Sequence, residues 1–166
     1  HNQFARGEHG LWIHTLMVAT ALERTIDSYV ERGAFDSYDA DCACAAAILH
    51  DGRKYGDRWR PGASADGDHD LQMADRVRDN DELPEAVAGA IAAHMGPWYA
   101  GPPPKDAVER AVHTADMTGS ARHVTPAVYD PPATLVDAHP DLPRCHFDDA
   151  APTRDGCQAT LGGGDA

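Results

Sequence analysis

The stretch Cys42-Ala43-Cys44-Ala45-Ala46-Ala47-Ile48-Leu49-His50-Asp51 decides how this chain is read. An apolar, alanine-rich run favours helix, and Gly52, directly after it, reads as the residue that breaks the helix. The run ends on an imidazole and a carboxylate side by side, where a merely structural helix would carry Leu or Ala. Burying either group without compensation costs several kcal/mol, so such a pair inside a bundle needs other polar groups or an ion.

Working outward, four further segments carry the same anomaly on helical phase. In residues 11–30 the apolar positions Leu11, Val18, Leu22, Ile26 and Tyr29 recur at steps of three and four, and His14 falls on that line between Leu11 and Val18. A segment from about His69 places His69, Met73 and Val77 on one face. A helix with Pro84 in its first turn, followed by Glu85, has the stripe Val87, Ile91, His94. The last, from about Lys105, runs Val108, Val112, Asp116. These segments predict an all-α fold, an irregular bundle of five or more helices, with polar groups from several helices meeting inside it. Ala43, Ala45, Ala46 and Ala47 permit the close helix approach that such a meeting requires.

His14, His50, Asp51, His69, His94 and Asp116 therefore form a candidate metal site. A divalent cation satisfies several buried imidazoles and carboxylates at once, and this donor set suits Mn, Fe, Zn, Co or Ni. His69 alone fits a core histidine as well as a ligand; the inference rests on the convergence of the set.

At these residues the sequence resembles the HD superfamily of metal-dependent phosphohydrolases. The matching strings are "WIHTLMVA" with His14, "AAAILHDGRK" with His50, Asp51 and Lys54, "GDHDLQMADRV" with His69, "AIAAHMGPW" with His94, and "AVHTADMTGS" with Asp116. A lone His-Asp dipeptide carries no weight, whereas five elements in order on the right faces are specific. Within the superfamily the chain resembles the HD domain of bacterial 3'-5' exoribonucleases of the YhaM type. There too a glycine-rich lead precedes "HT", and the fourth element continues as His94, Gly96, Trp98 and Pro102 to Pro104 do here. The chain departs in "HDGRK", where many relatives have "HDIGK"; Lys54 keeps its place and the glycine comes one residue early.

The resemblance implies an HD-type domain over residues 1–124 that hydrolyses a phosphoester with metal-activated water. It implies that His14, His50, Asp51 and Asp116 hold a first ion. His69 and His94 would ligate a second ion or contact the phosphate, and Asp51 would bridge. The cofactor would be one or two divalent ions, among Mn, Fe, Ni, Co and Mg. Asp51 and Lys54 are the expected catalytic residues, and Lys54, Arg53 and Trp98 the expected substrate contacts. The substrate would be a nucleotide or a short single-stranded nucleic acid. Two other readings share the residue set: a di-iron oxygenase of the same superfamily, and a non-catalytic nucleotide-binding regulatory module. His113, three residues before Asp116, fits a residue that orients a ligand or a surface histidine. Trp98 and Tyr99 fit stacking on a base or closing the bundle end.

Length and composition agree. The 166 residues suffice for one ordinary domain. There is no run of about 18 apolar residues that would read as a membrane span, so a cytoplasmic protein without membrane contact is expected. Because residue 1 is His and no signal peptide is seen, the sequence is expected to begin inside a longer natural chain. Twenty-seven acidic and 14 basic side chains give a formal net charge of -13, and Lys54 and Lys105 are the two lysines. An Asp-rich, Lys-poor surface suits solubility in concentrated salt, hence a halophilic, archaeal cytoplasm. In molar salt the Debye length is about 3 Å, so this charge does not exclude a polyanionic substrate.

Cys42 and Cys44 read as small buried residues of the alanine-rich helix, and Cys145, His146 and Cys157 lack the spacing of a structural zinc site. The loop 53–68 leaves directly from the His50-Asp51 pair and reads as an active-site wall or a plain connector. Residues 125–166, rich in Pro, Asp, Gly and Ala without a helical stripe, are expected to be a disordered acidic tail.

Overall fold

The structure is a computed structural model that describes residues 10–56, 64–99 and 101–122, except for the side chain of Trp98. The expected tail over 125–166, with its cysteines, and Trp59 in the loop after the pair lie outside the described residues. The described residues are helical, without a strand, and the expected all-α bundle is what they form. Among the described residues five α-helices follow in order: α1 Gly10–Glu31, α2 Ser37–Leu49, α3 His69–Arg78, α4 Glu85–Ala93 and α5 Ala107–Ser120, with a 3-10 turn at Gly96–Trp98. All fall in one unit of the chain, His1–Pro126. Among the described residues no helix is long and apolar enough to cross a membrane.

Local sequence sets the helix ends. After α1 the chain reverses at Gly33, whose φ of 68° belongs to the left-handed region that glycine enters freely, and the Gly33 and Ala34 amides bond back to Val30 and Tyr29. Asp36 then caps α2 in a reciprocal box: its side chain accepts from the Asp39 amide while the Asp39 carboxylate accepts from the Asp36 amide. Asp106 caps α5 by accepting from the Glu109 amide. Pro84 stands one residue ahead of α4, at its N-cap and outside the first turn where the sequence suggested it.

The packing has a centre and flanks. α4 buries Val87, Ala88, Ala90, Ile91, Ala92 and Ala93, more than one face, as expected of a helix packed against several others. It packs against α2, α3 and α5; α1 lies against α2 and α5. Alanine at so many of these positions brings helix axes close. On the α1/α5 seam glycine does the same: a Cβ at Gly119 would lie 2.9 Å from Val18 Cγ2 and 3.2 Å from the Val18 amide nitrogen.

α2 closes before Gly52, where the sequence suggests, though the Gly52 φ is not positive. The helix closes one residue before the His-Asp pair, with His50 as a C-cap still in helical conformation. Gly52 is also a close-approach residue, because a Cβ there would meet Met73 Sδ at 3.0 Å and the Leu49 carbonyl at 3.1 Å. The left-handed position falls four residues later, at Gly56 with φ 73°. Cys42 is buried as expected, whereas Cys44 is exposed, because residues two apart point to different sides of a helix.

Candidate metal centre

Each expected ligand reaches the interior from a defined place on a helix. His14 lies in the second turn of α1, His50 caps the C-terminus of α2, Asp51 opens the turn that follows, His69 is the first residue of α3, His94 caps α4, and Asp116 lies on α5. None of the six is more than 6% exposed.

Backbone carbonyls fix three of the four imidazoles. His50 Nδ1 lies 2.8 Å from the Ala47 carbonyl, His69 Nδ1 2.7 Å from that of Asp66, and His94 Nδ1 2.7 Å from that of Ile91. A carbonyl can only accept, so each Nδ1 carries the proton and, in the neutral ring, each Nε2 presents a bare lone pair. This is how a protein orients an imidazole toward a metal.

Those Nε2 atoms converge on carboxylate oxygens. His14 Nε2 is 3.0 Å from Asp116 Oδ1 and 3.2 Å from His50 Nε2. The two oxygens of Asp51 face different histidines: Oδ2 lies 3.4 Å from His14 Nε2 and 3.6 Å from His50 Nε2, while Oδ1 lies 3.0 Å from His69 Nε2 and 3.7 Å from His94 Nε2. Two triads, His14-His50-Asp116 and His50-Asp51-His94, bring one ligand atom from each member within 4.8 Å of one another. His69 stands outside both, joined through Asp51 Oδ1 and an edge-on ring contact with His94.

The residues fit a divalent ion. Asp51 Oδ1, His69 Nε2 and His94 Nε2 are buried without a hydrogen bond, because lone pairs face one another at 3.0 and 3.7 Å with no proton between neutral groups. Nature leaves few such atoms unpaired, and a cation or added protons must compensate.

Burial pushes the His50 imidazole down to about 4, more than the neighbouring Asp51 and Asp116 charges restore. Burial raises the Asp51 carboxyl, but the facing His69 and His94 imidazoles, which can donate to it only when doubly protonated, and the charges of His50 and Lys54 outweigh it and hold Asp51 well below the carboxylate range. For Asp116 too burial acts upward and is overcome, here by the His14 hydrogen bond and the charges of His50 and His94. Burial lowers His69, yet the facing Asp51 carboxylate, which stabilises the protonated ring, and the Asp66 carbonyl raise it on balance.

The expected substrate contacts divide. Lys54 Nζ is 2.5 Å from Asp51 Oδ2, so the cation sits at the edge of the cluster, and Arg53 is half-buried in the same turn. The Trp98 side chain lies outside the described residues, but its neighbour Tyr99 is exposed with its ring centre 6.4 Å from that of His69.

Sequence reasoning missed Asp70. It is fully buried in the first turn of α3, with neither carboxylate oxygen hydrogen-bonded, and a Cβ on Gly101 would collide with it and with the Ala92 carbonyl. The signal was present: Asp70, Ala74 and Val77 recur at helical spacing beside the His69, Met73, Val77 line. Its first-turn position gives the carboxylate the positive end of the helix dipole.

No protein-family model, curated protein or solved structure matches the chain.

Proposed function

We propose that this chain is a metal-dependent phosphohydrolase of the HD type, cleaving a phosphoester of a nucleotide or short single-stranded nucleic acid. One observation carries the reading: four imidazoles and two carboxylates from all five helices and their ends converge in the core with Nε2 lone pairs facing carboxylate oxygens. One or two divalent ions, among Mn, Fe, Ni, Co and Mg, would supply Lewis acidity and water ionised near neutral pH. His14, His50 and Asp116 would hold one, His69 and His94 the other, and Asp51 offers an oxygen to each set.

The chain's own residues then have distinct tasks. Asp51 and Asp116 stay anionic well below neutral pH and balance charge. Lys54, held against Asp51, puts a compact positive charge where a non-bridging phosphate oxygen would approach. That cation favours an anionic phosphoester over dioxygen and so favours hydrolase over oxygenase. Arg53 in the same turn is placed to add a second cation, and Tyr99 and Trp98 follow the His94 element as aromatic groups for a base. The acidic composition suits a salt-rich cytoplasm as the working environment.

The test is release of phosphate or nucleotide in high salt with Mn, from a dinucleotide, a short RNA, a short single-stranded DNA and nucleoside monophosphates, comparing the chain with Asp51→Ala. Mn-dependent release that disappears in Asp51→Ala is expected, and the preferred substrate names the class. Stoichiometric metal without release from any substrate overturns the hydrolase; oxygen consumption by the iron-loaded protein would then identify the oxygenase.

A further inference from the structure

His94 is held at a weak place. It caps the C-terminus of α4, where the last carbonyls have no amide ahead to bond, and its own backbone N–H reaches Ile91 O at a long 3.3 Å. Its ring Nδ1 bonds the same Ile91 carbonyl at 2.7 Å, which fixes the ring relative to the helix end but not the helix end relative to the bundle. Helix termini fray by a residue or two, and a metal ligand tolerates displacement of only about 0.2 Å.

The missing restraint comes from α5. His113 Nδ1 lies 2.7 Å from the His94 carbonyl, so it donates there and satisfies one of the carbonyls the helix leaves open. His113 stands three residues before Asp116, one helical turn away on the same side of α5. One side chain therefore links the helix end that carries one ligand to the helix that carries another. The chain beyond His94 is shaped around this imidazole. Gly96 adopts φ 59°, and a Cβ on it would lie 2.8 Å from His113 Cε1, so a glycine is required there both by conformation and by the ring packed against it.

We infer that His113 is a positioning residue of the metal centre: through its bond to the His94 carbonyl it sets where the His94 imidazole stands relative to Asp51 and Asp116. It acts through His94, with its half-buried ring bonded to that backbone and not to the carboxylates. The inference rests on the metal-centre reading and is independent of whether the centre hydrolyses phosphoesters.

Asparagine and glutamine separate this role from bulk or polarity, since the Asn amide nitrogen falls near the position of Nδ1 and the Gln nitrogen near that of Nε2. The experiment measures Mn(II) affinity by calorimetry for the full chain, His113→Asn and His113→Gln, together with the unfolding midpoint of each without metal. His113→Asn is expected to bind Mn within about threefold of the parent, and His113→Gln about tenfold or more weaker, with metal-free midpoints alike in the two variants. Equal Mn affinity in the two variants, tight or weak, overturns the inference, as does a loss that merely follows the unfolding midpoint. A parent chain that binds no Mn would sink the metal centre itself, which tells the two failures apart.

Discussion

Asp51 Oδ1 lies 3.0 Å from His69 Nε2 although the His69 proton is already committed, through Nδ1, to the Asp66 carbonyl. The contact is favourable only when His69 is doubly protonated or when a cation stands between the two atoms. Protons and metal therefore compete for one place.

The competition predicts a pH dependence of metal binding. His69 is raised above the ordinary 6.5 by Asp51 in the metal-free protein, and the ring must lose that proton to ligate. Mn affinity is expected to fall as pH decreases, with the decline already under way above 6.5, and binding to release protons. Calorimetry in two buffers of different ionisation enthalpy measures the release; an affinity that stays flat across the histidine range would refute the competition.

The metal-free protein should also lose stability in mild acid on account of His50. The unfolded chain takes up this proton near 6.5 and the folded one only near 4, so unfolding is favoured progressively as pH falls between those values. His69 contributes with the opposite sign: its stabilisation is present below 6.5 and is lost as pH rises through its folded value. His50→Gln is expected to flatten the acid limb of a urea-midpoint profile. An unchanged limb would mean that His50 does not govern it.

Gly119→Ala is expected to destabilise, against the usual gain of about 1 kcal/mol for alanine over glycine inside a helix. The new methyl would meet the stiff Val18 side chain at 2.9 Å and its backbone at 3.2 Å, and overpacking of this kind costs about 1–3 kcal/mol. Val18 is one turn past His14 and Gly119 nearly one turn past Asp116, so pushing α1 from α5 should also stretch the 3.0 Å His14–Asp116 contact. Lower thermal midpoint together with weaker Mn binding is the expected result; a stabilised variant would show that the seam has room.

A chain of formal charge -13 repels itself in dilute solution. Raising KCl from about 0.1 M to about 1 M shortens the screening length from about 10 Å to about 3 Å and should raise the metal-free thermal midpoint. Sulfate-free KCl is the appropriate salt, because sulfate also strengthens apolar burial. A midpoint indifferent to KCl would remove the electrostatic argument for a salt-rich environment.

Much of this architecture was legible in the sequence because helical phase is a local property. Spacing alone put His14 between Leu11 and Val18, His94 after Ile91, and Asp116 after Val112, and all three are buried. The reading failed where a residue's role depends on its neighbours across the bundle. The sequence does not single out Asp70, because the His69 line suffices to explain α3 as a half-buried helix, whereas α3 buries His69, Asp70, Ala74 and Val77 and packs against α4. At Gly52 the sequence shows a helix end, which α2 has there, but not the close approach of Met73 from α3.

The sequence by itself determined that His14, His94 and Asp116 would lie inside on their helical stripes, since a 3.6-residue repeat and the cost of burying polar groups act within a dozen residues. Only the tertiary structure decided that Asp51 divides its two oxygens between two histidine sets, that His113 reaches across nineteen positions to the His94 carbonyl, and that Gly119 lets α1 close on α5. Those relations are distances between helices, fixed by how alanine and glycine faces settle against one another, and no periodicity along the chain encodes them.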